Sequence, residues 1–332
     1  MSEMEEAIRL YYQGDTSRAE VILKRLAEAE PDNINAHIRL AEIEKELGNL
    51  EKAEEVQLKI AGIYEKNGSY EDCLDMLERI DTEYFYDIFL HLRGKCFFHL
   101  GRYSEALSDF LASPRDTETM FYIGKCYFFS GNYDEALKTF RVIFEETSSR
   151  EELYRSHYWI GKTLYGMGQA EDAIACFNSY IPGYPREKQV YLDLAMCYLG
   201  IGQFDKAKKS LAKYKKLGGD VNIVNFYTGL LSYNQGDYTG ALTSLGKTSL
   251  DDQSLHWKGM AYYQLGRYEE ALESFSQASK NQVKPLYLKM MGNANLKLGN
   301  YFEAKICYEK ALDLDPSDED IKRLINVTES LL

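Results

Sequence analysis

The stretch "LHWKGMAYYQLGRYEEALESFSQAS", residues 255–279, decides the reading of this chain. Leu255, Gly259 and Tyr262 fall at helical spacing on one face. Gly266 follows, a residue that reaches the left-handed backbone at the end of a helix at little steric cost. Tyr268 then opens a second helical pattern, in which Ala271, Phe275 and Ala278 recur every three to four residues. The small residues Gly259 and Ala271 let two helices approach closely, and the aromatic rings fill the space around them. One such hairpin cannot bury its apolar face alone, whereas stacked copies can.

Copies are present. The six-residue phrase around the turn reads GDTSRA at 14, GNLEKA at 48, GSYEDC at 68, GRYSEA at 101 and GNYDEA at 131. It continues as GQAEDA at 168, GQFDKA at 202, GDYTGA at 236, GRYEEA at 266 and GNYFEA at 299. Successive glycines are 34, 20, 33, 30, 37, 34, 34, 30 and 33 residues apart. A period near 34 is that of a solenoid of helical hairpins.

These residues resemble the tetratricopeptide repeat family, whose pattern is W-x2-L-G-x2-Y, then G-x-Y-x2-A-x3-F-x2-A, then a closing Pro. Gly124, Tyr127, Gly131, Tyr133, Ala136 and Phe140 follow it in one repeat. Gly292, Gly299, Tyr301, Ala304, Tyr308, Ala311 and Pro316 follow it in the last, and Pro31 and Pro185 share the closing position. The resemblance covers nearly the whole chain. It implies an all-α, right-handed superhelical solenoid of about ten hairpins, with residues 318–332 supplying a C-terminal capping helix.

The composition agrees with helix and limits function. The 332 residues include only 6 Pro, and Ala, Leu, Glu, Lys and Tyr are plentiful. A net charge of −13 argues against nucleic-acid binding, which needs clustered cations. The acidity is uneven: residues 1–82 hold 10 Lys and Arg against 20 Asp and Glu, and the remaining 250 hold 29 against 32. Only four of the 44 aromatic residues precede residue 83. Three parts are therefore expected: acidic repeats over 1–82, an aromatic-rich superhelix over 83–317, and the cap over 318–332. The 20-residue interval from Gly48 to Gly68 has room for a single helix, which carries Ala53 as a second helix would and Ala61 and Tyr64 as a first helix would. That helix is expected to serve both roles and to change the direction of the stack, separating the acidic repeats from the aromatic-rich superhelix; the alternative reading is a slipped register without consequence. The acidic start "MSEMEEAIRL" has no leader-like apolar core, and no run of about 18 apolar residues occurs, so a cytoplasmic protein is expected. The six cysteines form no CxxC pair and read as buried thiols.

In the family the first helices of the hairpins line a concave groove that usually binds peptides. Counting from each turn glycine, three positions per repeat face that groove. The one three before the small residue is His91, Phe121, Tyr158, Leu192, Phe226, His256 and Lys289. The one just after it is Lys95, Lys125, Lys162, Met196, Leu230, Met260 and Asn293. Three further along stand Phe98, Phe128, Tyr165, Leu199, Tyr233, Tyr263 and Leu296. Lys95, Lys125 and Lys162 thus form a cationic stripe over three repeats. With repeats about 10 Å apart it is on the order of 20 Å long, the span of roughly six or seven extended residues. With His91, Phe98, Phe121, Phe128, Tyr158 and Tyr165 around it, the stripe suits an acidic or carboxylate-bearing peptide. The competing reading makes the lysines solvated or internally paired. Beyond them Met196, Phe226, Leu230, Tyr233, Met260 and Tyr263 make an apolar groove, open or filled by the chain itself. Lys289 and Asn293 match the first pair of the family's carboxylate clamp, but no later repeats complete it.

Catalytic signatures are missing. Gly161-Lys162-Thr163 imitates the end of a phosphate loop, yet Ser156 stands where its first glycine is needed. The five histidines make no metal pattern, and Cys96, Cys126 and Cys197 recur at one repeat position, as packing residues do. The expectation is a non-catalytic scaffold with a protein or peptide partner, no cofactor, no metal, no nucleic acid and no membrane insertion. Homo-oligomerisation is left open. The alternative is a regulatory or substrate-positioning subunit of an enzyme complex.

Overall fold

The computed structural model describes residues 2–249 and 251–332; Met1 and Leu250 lie outside the described residues. Among the described residues all regular structure is helical, and no helix is long and apolar enough to cross a membrane. Two compact units are present, Met1–Gln169 and Ala170–Leu332.

The first unit contains α1 (Glu3–Tyr12), α2 (Thr16–Ala29), α3 (Ile34–Glu46), α4 (Leu50–Lys66), α5 (Tyr70–Leu77), α6 (Tyr86–His99), α7 (Tyr103–Ala112), α8 (Thr117–Phe129), α9 (Tyr133–Glu146) and α10 (Arg150–Gly166). The second contains α11 (Ala170–Tyr180), α12 (Lys188–Gly200), α13 (Phe204–Lys216), α14 (Val221–Asn234), α15 (Tyr238–Leu245), α16 (Asp252–Gln264), α17 (Tyr268–Asn281), α18 (Pro285–Leu298), α19 (Tyr301–Leu314) and α20 (Glu319–Glu329). Within each unit consecutive helices pack as hairpins, and each hairpin packs on the next.

The turns obey the sequence rule. All ten phrase-opening glycines, from Gly14 to Gly299, have positive φ. At Gly266, with φ +73°, the amide of Arg267 reaches back 3.0 Å to the carbonyl of Tyr262, satisfying a carbonyl that the helix end would orphan. Close packing follows from the small residue of each first helix. A Cβ on Gly94 would lie 2.9 Å from the Phe110 ring, and one on Gly259 would lie 2.6 Å from Phe275, each ring sixteen residues on. Cys96, Cys126 and Cys197 are fully buried, as their periodic placement suggests.

Helix α4 occupies the short interval. It packs against α3, α5 and α6, with both Ala53 and Ala61 buried. Its Glu54, 3 % exposed, accepts hydrogen bonds from the amides of Glu83, Tyr84 and Phe85 at 3.0, 2.9 and 2.8 Å. The carboxylate thereby caps the N-terminus of α6, where unpaired N–H groups and the helix dipole favour negative charge. One hairpin further, Arg93 grips Asp109 at 2.8 and 2.7 Å and lies 4.8 Å over the Phe89 ring. At the far end α20 packs on α19 through Ile321, and its N-cap Asp318 accepts from the amides of Asp320 and Ile321.

Candidate functional site: the first-helix face of α6, α8 and α10

Helices α6, α8 and α10 carry Lys95, Lys125 and Lys162 one residue after Gly94, Gly124 and Gly161. Each glycine is buried and each lysine is half-buried beside it. Lys162 lies in the body of α10, where the backbone donors are spent within the helix, so no phosphate loop forms around it.

The three ammonium groups have different surroundings. Lys95 Nζ lies 2.9 Å from Glu65 Oε1 of α4, with both side chains less than one-fifth exposed. Burial works against its charge, but the hydrogen bond and charge of Glu65 win and hold its pKa above the ordinary lysine value. Lys125 Nζ stands among rings instead: 4.9 Å from the centroid of Tyr122, 5.4 Å from Trp159 and 6.0 Å from Phe98. Burial, reinforced by the charge of Arg155, lowers its pKa, and Glu118 only partly compensates. Ring faces attract a cation by about 0.5–2 kcal/mol, less than a desolvated ammonium loses by leaving water. Lys162 Nζ is 6.0 Å from the ring of Phe128.

The rings form a continuous edge-to-face network. Phe98 meets Tyr122 at 5.3 Å and Phe129 at 5.8 Å, and Phe128 meets Trp159 at 5.7 Å. Trp159 also meets Tyr158 at 5.8 Å and stacks on Phe140 at 5.6 Å. Tyr165 is exposed. Phe121 is only 1 % exposed; it packs on Phe140 and beneath the Arg155 guanidinium, 4.3 Å away, and offers no ring face outward. His91 contacts Thr119 Oγ1 at 3.3 Å and lies 4.0 Å from Glu118. Four contributors escaped the sequence count: Tyr122, Trp159, Arg155 and Glu65. Tyr122 and Trp159 each follow a counted position directly, and a wider window would have included them.

In the second unit Met196 and Met260 are half-buried, and Leu230, 8 % exposed, belongs to the core. Tyr233 lies 5.2 Å from Trp257 and accepts from Gln264 at 3.4 Å, while Tyr263 meets Tyr268 at 5.2 Å. Burial raises the pKa of both phenols. Phe226 and Leu192 line a cavity of about 370 Å³, whose walls also carry Asp220, Asn222, Asp251 and Gln253, a mixed rather than apolar surface. The last repeat uses its polar pair internally: Lys289 lies 3.2 Å from Asp318 at the start of α20, and Asn293 accepts from Tyr308 at 2.8 Å. Among the described residues no group of three or more His, Cys, Asp or Glu is placed to hold a metal ion.

Comparison with known proteins gives one family throughout. Tetratricopeptide repeat profiles match residues 10–56, 118–146, 154–181, 189–217, 253–282 and 285–318, together more than half of the chain. A TPR repeat-containing protein of Methanocaldococcus jannaschii is 30 % identical over 197 residues, covering 53 % of this chain and 34 % of that protein. The small glutamine-rich tetratricopeptide repeat-containing protein 2 of Mycosarcoma maydis is 32 % identical over 94 residues, 26 % of each. The chain thus spans about a third or less of the curated relatives it matches. Among solved structures, the APC/C hetero-tetramer Cut9–Hcn1 is 12 % identical with a TM-score of 0.46, covering 97 % of this chain and 88 % of that one. A MamA fragment from Desulfovibrio magneticus RS-1 is 18 % identical with a TM-score of 0.44, covering 51 % and 96 %.

Proposed function

Because the chain belongs to the tetratricopeptide repeat family, we propose that it is a non-catalytic protein-interaction adaptor whose first-helix face in the first unit takes an acidic or carboxylate-bearing peptide segment. The observation that carries this reading is Lys125. Its ammonium is desolvated among Phe98, Tyr122 and Trp159 and has a lowered pKa, so an incoming carboxylate would gain more there than at an exposed lysine. Lys95 and Lys162 extend the positive stripe on either side, and the rings supply apolar contact between charges. Residues 1–82 are the acidic N-terminal part of this adaptor, 83–317 the aromatic-rich array and 318–332 its cap. The protein works in the cytoplasm. The mixed cavity at Leu192 and Phe226 would accept a less charged portion of a partner.

The test is an array of six- and seven-residue peptides with graded Asp and Glu content, probed with wild type and with the Lys95→Ala/Lys125→Ala/Lys162→Ala variant. Binding should rise with carboxylate count and be lost in the variant, while the helical signal persists. Equal binding of acidic peptides and their amide counterparts would overturn the reading.

A further inference from the structure

Helix α13 carries a charge pattern that groove binding does not use. Its buried face is Ala207, Ser210, Leu211 and Tyr214, and every other side chain from Asp205 to Lys216 is exposed. Those include Lys206, Lys208, Lys209, Lys213, Lys215 and Lys216 against the single acid Asp205, in a chain of net charge −13. The lysines pair at seven-residue intervals: 206 with 213, 208 with 215, 209 with 216. They form two triads two helical turns apart, about 10 Å along the axis.

Helix stability alone does not account for both triads. Lys213, Lys215 and Lys216 lie in the last turn, where the dipole favours cations. Lys206, Lys208 and Lys209 lie near the start, where it disfavours them. The turn-phrase position of Lys206 is acidic in six other repeats, Asp72, Glu105, Glu135, Asp172, Glu270 and Glu303, and basic in two, Arg18 and Lys52. Like charges at 206 and 209, and at 209 and 213, cost a few tenths of a kcal/mol each. No ion pair engages any of the six lysines among the described residues; Lys206 and Lys213 only lean over Tyr198 and Tyr191, at 5.5 and 5.6 Å. The following second helix, α15, contains no charged residue.

One other second helix has the inverse pattern. Helix α5 and its C-cap expose Glu71, Asp72, Asp75 and Glu78 opposite a buried face of Cys73, Leu74 and Leu77. Glu71 and Glu78 are also seven residues apart, with Asp75 between them. None of the four is in a direct ion pair among the described residues, although Glu71 and Glu78 lie within the field of the Arg102 guanidinium, which pairs with Glu105.

We propose that α5 of one copy of this protein docks along α13 of a second copy, setting the acidic ridge of Glu71, Asp72, Asp75 and Glu78 against the two lysine triads. Matching charge and matching two-turn length carry the assignment. The two surfaces differ, so the contact is heterologous.

The experiment is sedimentation velocity of the full chain across a concentration series, at about 50 mM salt and at about 500 mM, where the Debye length shrinks severalfold. Two further chains are measured alone and mixed: Lys206→Glu/Lys209→Glu/Lys213→Glu/Lys216→Glu and Glu71→Lys/Asp72→Lys/Asp75→Lys/Glu78→Lys. Their folding is checked by circular dichroism and melting. The expected result is concentration-dependent association of wild type at low salt that is lost at high salt. Each variant alone should stay monomeric, and the mixture should associate again, because contacts between unlike variants are once more complementary. A wild type that remains monomeric at low salt overturns the proposal. So does association that survives either reversal, or a mixture of folded variants that stays monomeric.

Discussion

Phe140 lies so close to Gly124 that a methyl group on that glycine would come within 2.5 Å of its ring. The ring is fully buried, stacked on Trp159 and cannot swing aside. Gly124→Ala therefore gains about 1 kcal/mol of helix propensity but incurs an overpacking cost of about 1–3 kcal/mol. A lowered urea midpoint is expected. Gly62, within α4, has nothing within 4 Å of its missing Cβ, and Gly62→Ala should raise the midpoint by the propensity gain alone. Shifts of the same sign in both variants would contradict the packing argument.

The cap that α4 provides for α6 can be removed with one atom pair. Glu54→Gln keeps the shape but replaces one accepting oxygen with a donor facing the amides of Glu83, Tyr84 and Phe85. Hydrogen bonds to a charged group contribute about 1.5–3 kcal/mol, so a loss of about 2 kcal/mol is expected. Equilibrium denaturation measures the loss, and hydrogen exchange at the Phe85 amide locates it. Protection that does not change at Phe85 would count against the cap.

Acid should weaken the second unit through His256. Its ring packs against Trp257, Phe275 and Tyr287, and its Nδ1 is buried without a hydrogen-bond partner. Burial, with the charge of Lys284 adding and that of Asp252 opposing, pushes its pKa down to about 4. The unfolded chain titrates near 6.5 and so binds more protons between these values. Stability is complete above pH ~6.5 and falls as pH drops toward 4, by roughly 2–3 kcal/mol for a shift of this size. In His256→Phe this part of the pH dependence should vanish; a profile that matches wild type would assign it elsewhere.

Glu65 competes with any ligand for Lys95. Glu65→Gln should release the ammonium and strengthen binding of an acidic hexapeptide about two- to fivefold, close to 0.5–1 kcal/mol, as read by calorimetry. Affinity that is unchanged or lower would remove Lys95 from the binding stripe.

The repeat was legible because hairpin packing makes local demands. A turn needs a left-handed residue, and close helices need a small residue opposite a ring, so Gly266, Gly259 and Phe275 recur at fixed spacing. The same periodicity located Lys95, Lys125 and Lys162. It did not reveal their different states. Glu65 arrives from α4, which lies in the one interval that breaks the period, so counting from repeat to repeat does not reach it. Tyr122 stands three residues before Lys125 on α8 itself, but Phe98 and Trp159 come from α6 and α10 and reach Lys125 only when the three first helices stack.

By itself, then, the amino-acid sequence determined the family, the helical class and the ten turns, since each depends on residues within one hairpin. Only the tertiary structure decided that Lys95 is paired, that Lys125 is desolvated among rings and that Phe121 is core. Charge state and burial are sums over neighbours from several helices, and those neighbours are chosen by packing rather than by spacing along the chain.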